Sequence, residues 1–263
     1  MPMKKSLHPL LIVFTSAAIL IIATTQAKQK EIVLENMPAY QDSIRIDGDI
    51  SDWLSQQLPV IKKNKVAYAI TTDSSAVMLL LISNDRPTTM KILHRGLNIF
   101  IDSKGKKSKD AGIAFPLQQR RDSIRPNAPI NRDEIFAAMD KRITELVHLA
   151  ADSIIVFGCR QEFNGRFKTG QAAVQATVAK SGKDSLIIEL KIPFDIFPDI
   201  PKQGKPFSVG FEIPAMNEEG DFPPMDGAPG FDPPPMPADM PPPPGGQWND
   251  EPFEFWIKYT WPK

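Results

Sequence analysis

Short β-type runs of apolar residues, each closed by turn residues, dominate the chain from Val33 to Ile213. Alternation places every second side chain on one face, as a half-buried strand requires. Val66 to Asp73 (VAYAITTD) and Ala76 to Asp85 (AVMLLLISND), split by Ser74-Ser75, predict antiparallel neighbours joined by a tight turn. The second run is apolar almost throughout, so it is expected to be covered on both faces. Further strands are predicted at Thr89 to His94 (TMKILH), Leu97 to Asp102, Ala172 to Lys180, Ser185 to Pro193, Phe207 to Pro214 and Phe253 to Trp261. Ser181-Gly182-Lys183-Asp184 is a hairpin signal. Ile44 and Ile46, alternating with Ser43, Arg45 and Asp47, predict another strand. An Asp47-Gly48 turn and a short capped segment carrying Trp53 follow it. Many short strands punctuated in this way predict an all-β fold with two antiparallel sheets packed as a sandwich.

Two segments break the rhythm. Asp133 to Ala150 carries Ile135, Phe136, Met139, Ile143, Leu146 and Val147 at helical spacing, with Asp133 and Glu134 at its start, where the helix dipole favours acid. Between strands, it is expected as one inserted surface helix packed on the sandwich, with His148 near its C-terminal end. Residues 214–246 are dense in Pro, Gly, Met and Asp. Proline lacks the N–H and fixes φ, so this stretch predicts a long, disordered or polyproline II internal loop rather than strand or helix. A last strand still follows it, which makes one sandwich domain of residues 38–263.

The N-terminus sets the compartment. Lys4 and Lys5 precede an uncharged apolar run of 14 residues, Leu10 to Ala23, and then the small-x-small site Thr25-Gln26-Ala27. That run is shorter than the ~20 residues a spanning helix needs, so residues 1–27 are read as a cleaved export signal. The mature chain is expected outside the cytoplasm (periplasmic, cell-surface or secreted) and not as an integral membrane protein. Its one cysteine, Cys159, lies in an alternating apolar run, has no partner for an internal disulfide and is expected to be a buried hydrophobe. The formal charge is zero, with 31 basic and 31 acidic residues, and basic side chains cluster only at Lys104, Lys106, Lys107 and Lys109. Nucleic-acid binding needs a larger one-signed surface. No nucleophile motif, zinc motif or phosphate loop occurs, and Glu218-Glu219 lies in the Pro-rich stretch, so no enzyme is expected.

Three stretches carry a resemblance: IRIDGDISDW (Ile44 to Trp53), GLNIFIDSKGKKSKDAGIAFP (Gly96 to Pro116) and SLIIELKIPFDIF (Ser185 to Phe197) followed by GKPFSVGFEI. Together they resemble the sugar-binding β-sandwiches related to family 9 carbohydrate-binding modules and the DOMON group. The resemblance implies a jelly-roll-like sandwich, non-catalytic glycan binding through stacked aromatics, and structural calcium. Calcium takes six to eight oxygens. Asp47, Asp49, Asp52, Asp102 and Asp110 stand on the matching elements, with turn and capping roles as the alternative for Asp47 and Asp52. Trp53 matches the signature as a stacking residue, although a Trp just after an N-terminal turn is more often a core plug. Trp248, among polar loop residues, and Trp261 are the other stacking candidates, while Trp256, inside the last strand, is read as core-facing. The DOMON branch adds haem, for which His94 with Met78 or Met90 is the ligand pair. A third reading makes the chain a scaffold for an envelope protein, docked through the Pro-rich loop. Within that loop Met225, Met236 and Met240 are soft copper ligands by type.

Overall fold

The computed structural model describes residues 32–34, 44–53, 58–61, 65–118, 132–182, 185–197, 199, 203–215 and 253–260. In chain order the strands are β1 (Ile32–Leu34), β2 (Val60–Ile61), β3 (Val66–Thr72), β4 (Ala76–Ser83), β5 (Asn98–Asp102) and β6 (Gly112–Ala114). They continue as β7 (Ser153–Phe157), β8 (Gly165–Lys168), β9 (Gln175–Ser181), β10 (Ser185–Pro193), β11 (Pro206–Ile213) and β12 (Phe253–Thr260). Two helices are inserted, α1 (Arg86–Arg95) and α2 (Arg132–Ala150).

The strands form a seven-stranded sheet in the order β1-β12-β11-β5-β6-β7-β8 and a five-stranded sheet in the order β2-β3-β4-β10-β9. Neighbours run antiparallel except β1, which pairs parallel with β12 and precedes the residue 38 boundary expected from the sequence. The protein is an all-β sandwich. Alternate residues of both sheets meet in one core: Val77, Leu79 and Leu81 of β4, Leu186, Ile188 and Leu190 of β10, Val209 and Phe211 of β11, Phe255 and Ile257 of β12. Phe211 and Phe255 stack there with centroids 4.8 Å apart. As expected, β3 and β4 are antiparallel neighbours, and Asp73 shapes their turn by accepting from the Ser75 and Ala76 amides at 2.7 Å each.

TMKILH is not a strand. It lies in α1, because the residues around it cap a helix. Asp85 accepts from the Thr88 amide at 3.2 Å, Pro87 stands in the first turn, and Gly96 closes the helix at φ 77° with its N–H on the Ile92 carbonyl. A six-residue apolar run does not itself distinguish the two periods. Helix α2 matches its expected position, and Ile143, Leu146, Val147 and Ala150 join the main core. Asp140 ties it to β9 by an ion pair with Lys180 at 2.5 Å. The side chains of Ile135, Phe136 and Met139 lie outside the described residues, as does the Pro-rich segment from residue 216 to 252.

Residues 44–46 form no strand either. Residues 44–53 lie as an irregular clip, ending in the single turn Ile50–Trp53, across the outer face of the five-stranded sheet. There Ile44 and Trp53 cover Ala67, Ala69, Met78, Leu80, Ile82 and Ile187. This is why β4 reads as continuously apolar: one face meets the main core and the other meets the clip.

Candidate functional site

Trp53, matched to a stacking role, is 2 % exposed and serves as the plug of the clip. Its indole Nε1 donates to Glu189 Oε1 at 2.7 Å, and the Gly48 N–H donates to Glu189 Oε2 at 2.6 Å. Glu189 is fully buried on the outer face of β10 and is the acceptor that lets two polar donors enter this layer. Burial is the main cause that holds its pKa above the ordinary carboxylate value. Gly48 is required on two counts: its φ is +87°, and a Cβ there would stand 2.7 Å from that of Ala179. Thr177 Oγ1 adds a third tie, donating to the Ile46 carbonyl at 3.0 Å.

The aspartates proposed for calcium sit on loops of opposite sheets. Asp47 and Asp49 accept the Asp49 and Ser51 amides at 3.0 Å each, which are local turn bonds, and Asp52 accepts the Arg45 amide at 3.1 Å. Asp102 is buried at the end of β5 and accepts the amides of Lys104, Lys106 and Ser108 at 2.9, 2.5 and 3.0 Å. That loop is organised around a carboxylate, and donors converge where a cation would want oxygens. Asp110 bonds Ser108 Oγ at 2.5 Å. Among the described residues, no three His, Cys, Asp or Glu side chains converge as a metal cluster. The haem pair is not brought together either. Met78 faces the clip, whereas α1, which carries His94, buries Ile92 and Leu93 in the main core. Met90 lies one turn before His94 on the same helix, so the two cannot approach an iron from opposite sides. Trp248, Trp261, Met225, Met236, Met240 and Glu218-Glu219 lie outside the described residues.

Trp256 does not face the main core. On the outer face of the seven-stranded sheet, Trp256, Gly210, Phe100, Gly112 and Phe157 stand in one row across five strands. The Trp256 ring lies over Gly210, where a Cβ would come within 2.8 Å of it, and beside Phe100 at 6.0 Å and 19°. Lys109 closes the row from above, with Nζ 5.5 Å over the Phe100 ring and bonded to Glu212 at 2.6 Å and Glu254 at 2.8 Å. Trp256 Nε1 holds Glu254 at 2.7 Å, and Asn98 reaches Glu212 at 3.4 Å. Burial opposes the Lys109 charge, but the two carboxylates outweigh it and raise the pKa. Phe100 is 4 % exposed and Trp256 8 %, so neither presents a free face to a ligand.

An open concave surface lies elsewhere, beside the β7–β8 hairpin. A cleft of about 230 Å³ is lined by Val156, Glu162, Phe163, Phe167, Gln171, Ala173, Val174 and Ile196. Val156, Val174 and Ile196 are buried and form its floor; Phe163 and Phe167 are half-buried walls; Glu162 and Gln171 are exposed at the mouth. Its walls are held by short-range bonds. Asn164 Oδ1 accepts the Cys159 amide at 2.9 Å and its Nδ2 donates to the Cys159 carbonyl at 3.0 Å. The Arg160 amide bonds the Ile196 carbonyl at 2.8 Å, and the Gln171 amide bonds the Lys168 carbonyl at 2.9 Å. Such bonds hold the backbone of the loop that carries the two rings. Glu162, Phe163, Phe167 and Gln171 come from QEFNGRFKTGQ, a stretch without a motif. Its one signal is two phenylalanines flanking Asn164-Gly165 in otherwise polar surroundings.

Cys159, next to this loop, is buried and its Sγ lies 3.5 Å from the Phe157 carbonyl. Burial pushes its pKa up to about 11. At pH 8 only about one molecule in a thousand then carries a thiolate. A chromogenic disulfide reagent should label the native protein at least a hundredfold more slowly than the urea-unfolded chain; equal rates would show that the loop opens readily.

No protein-family model and no curated protein matches the chain. In fold it is similar to a family 9 carbohydrate-binding module from Caldicellulosiruptor kristjanssonii solved with glucose, at 12 % identity and a TM-score of 0.35 over 70 % of this chain and 77 % of that one. The same module with cellotriose matches at 12 % identity and a TM-score of 0.33, over 70 % and 75 %. The likeness is one of sandwich architecture, and at these scores it places no ligand on this chain.

Proposed function

We propose that the chain is an exported, non-catalytic binding module for glycans, and that the cleft beside the β7–β8 hairpin holds one sugar ring. The observation that supports this reading is the composition of the cleft: two phenylalanine walls over an apolar floor, with one carboxylate and one amide at the mouth. A pyranose has an apolar face to set against an aromatic ring and a hydroxyl edge for polar side chains, so such a lining suits it. The volume falls below the roughly 300 Å³ at which drug-sized pockets begin, which restricts the site to a single small ring. Trp248 and Trp261 are carried in the proposal as further stacking residues. No helix among the described residues is long and apolar enough to cross a membrane.

The test is a glycan array on the mature protein, with and without calcium, followed by calorimetry of any hit. Phe167→Ala should weaken that binding at least tenfold while the unfolding midpoint moves little, since the ring is only partly buried. A hit whose affinity is untouched by Phe167→Ala, yet is lost in Trp248→Ala or Trp261→Ala, would move the site to those tryptophans. An empty array with a co-purifying envelope protein would favour the scaffold reading.

A further inference from the structure

We infer that the cleft discriminates by charge, accepting neutral and amine-bearing sugar rings and rejecting acidic ones; the inference rests on the glycan reading above. Of the groups that line the cleft, Glu162 alone is charged. Its side chain is exposed and has no hydrogen bond or ion pair among the described residues, so its charge is not spent on an internal partner. Arg160, Arg166 and Lys168 are exposed neighbours in the chain, but none of them lines the cleft. The other polar lining group, Gln171, offers a carbonyl and an NH2 and therefore serves hydroxyls without choosing a charge.

The chemistry follows from these positions. A ring seated between Phe163 and Phe167 carries its substituents toward the mouth, where Glu162 and Gln171 stand. A hydroxyl or an ammonium there donates to the Glu162 carboxylate. A ring carboxylate can only accept, so among the groups lining the cleft it meets like charge and no cation. Rejection by an unpaired like charge is how a site gains specificity without added affinity. At a partly exposed mouth the effect is modest and screened by salt, roughly three- to tenfold at low ionic strength.

The experiment uses the mature protein at pH 7 and titrates methyl glucoside, its 2-amino analogue and methyl glucuronide, with the galactose series in parallel, in 20 mM and 500 mM salt. The expected order is amine at least as tight as neutral, with the uronide about three- to tenfold weaker than the neutral ring in 20 mM salt. That gap should narrow in 500 mM salt. In Glu162→Gln the ratio of uronide to neutral affinity should approach one. A uronide that binds as tightly as the neutral ring to the wild type, or a ratio unmoved in Glu162→Gln, overturns the charge inference and leaves glycan binding standing. Failure of every ring to bind overturns the glycan reading, and the charge inference with it.

Discussion

Replacing Trp53 with alanine is expected to lower the free energy of unfolding by about 4 kcal/mol, the cost of removing a large, fully packed aromatic side chain. The indole fills the middle of the clip over Ala67, Ala69, Met78, Leu80, Ile82 and Ile187, and no other large ring lies in that layer among the described residues. Without it Met78, Leu80 and Ile82 lose their cover, and Glu189 loses the indole N–H. Urea unfolding by far-UV circular dichroism measures the change. Trp53→Phe separates the parts, because it keeps most of the packing and drops the N–H; a loss of about 1–2 kcal/mol is expected for that bond to a carboxylate. If Trp53→Ala changed stability by less than 1 kcal/mol, the clip would be a dispensable surface segment.

The second large effect is expected at Glu189. In Glu189→Ala, the Gly48 amide and the Trp53 indole become buried donors without an acceptor, at a cost of about 3 kcal/mol together. The sign with pH is opposite to that of a surface ion pair. Because burial raises the folded pKa of Glu189, the folded state holds the proton more tightly than the unfolded chain does. Its linked stability is fully present below the ordinary glutamate pKa and falls as pH rises through the raised value. Unfolding curves across that interval should therefore show a component that Glu189→Gln abolishes. A rise in stability over the same interval that disappears in Glu189→Gln would reverse the assignment and mean that the donors, not burial, dominate.

The sandwich was legible because its short apolar runs are of strand length and its turns use Asp, Ser and Gly. VAYAITTD and AVMLLLISND read directly as β3 and β4, since run length, apolar content and punctuation agree. TMKILH misleads because six residues are too few to separate periods of 2 and 3.6; the deciding residues, Asp85, Pro87 and Gly96, stand outside the run. Ile44 and Ile46 alternate for a different reason, as contacts of an irregular clip rather than of a paired strand. Trp53 was visible as a residue, but its partner was not. Glu189 lies 136 positions away in a strand that is otherwise apolar but for Ser185 and Lys191, and only the pairing of the clip with β10 joins them. Trp256 alternates with core residues on the opposite side, and a Gly facing it at position 210 gives no warning of the ring above it.

The cleft was the least legible part. Phe163 and Phe167 lie four positions apart, on the 3-10 turn Gln161–Phe163 and on β8, and Val174 and Ile196 reach them from other segments. No local pattern encodes such a meeting of three loops. Five aspartates at turns are readable as ligands or as caps, and the three backbone amides that Asp102 accepts are not announced by side-chain identity.

Whether the cleft is the binding site is tested most directly by mapping a bound sugar onto the protein by heteronuclear NMR. The amides of Phe163, Phe167, Gln171 and Val174 should shift together and saturate at one dissociation constant, while those of Phe100, Lys109 and Trp256 stay in place. Saturable shifts confined to the Phe100–Trp256 face, or to the chain around Trp248 and Trp261, with the cleft unmoved, would contradict it.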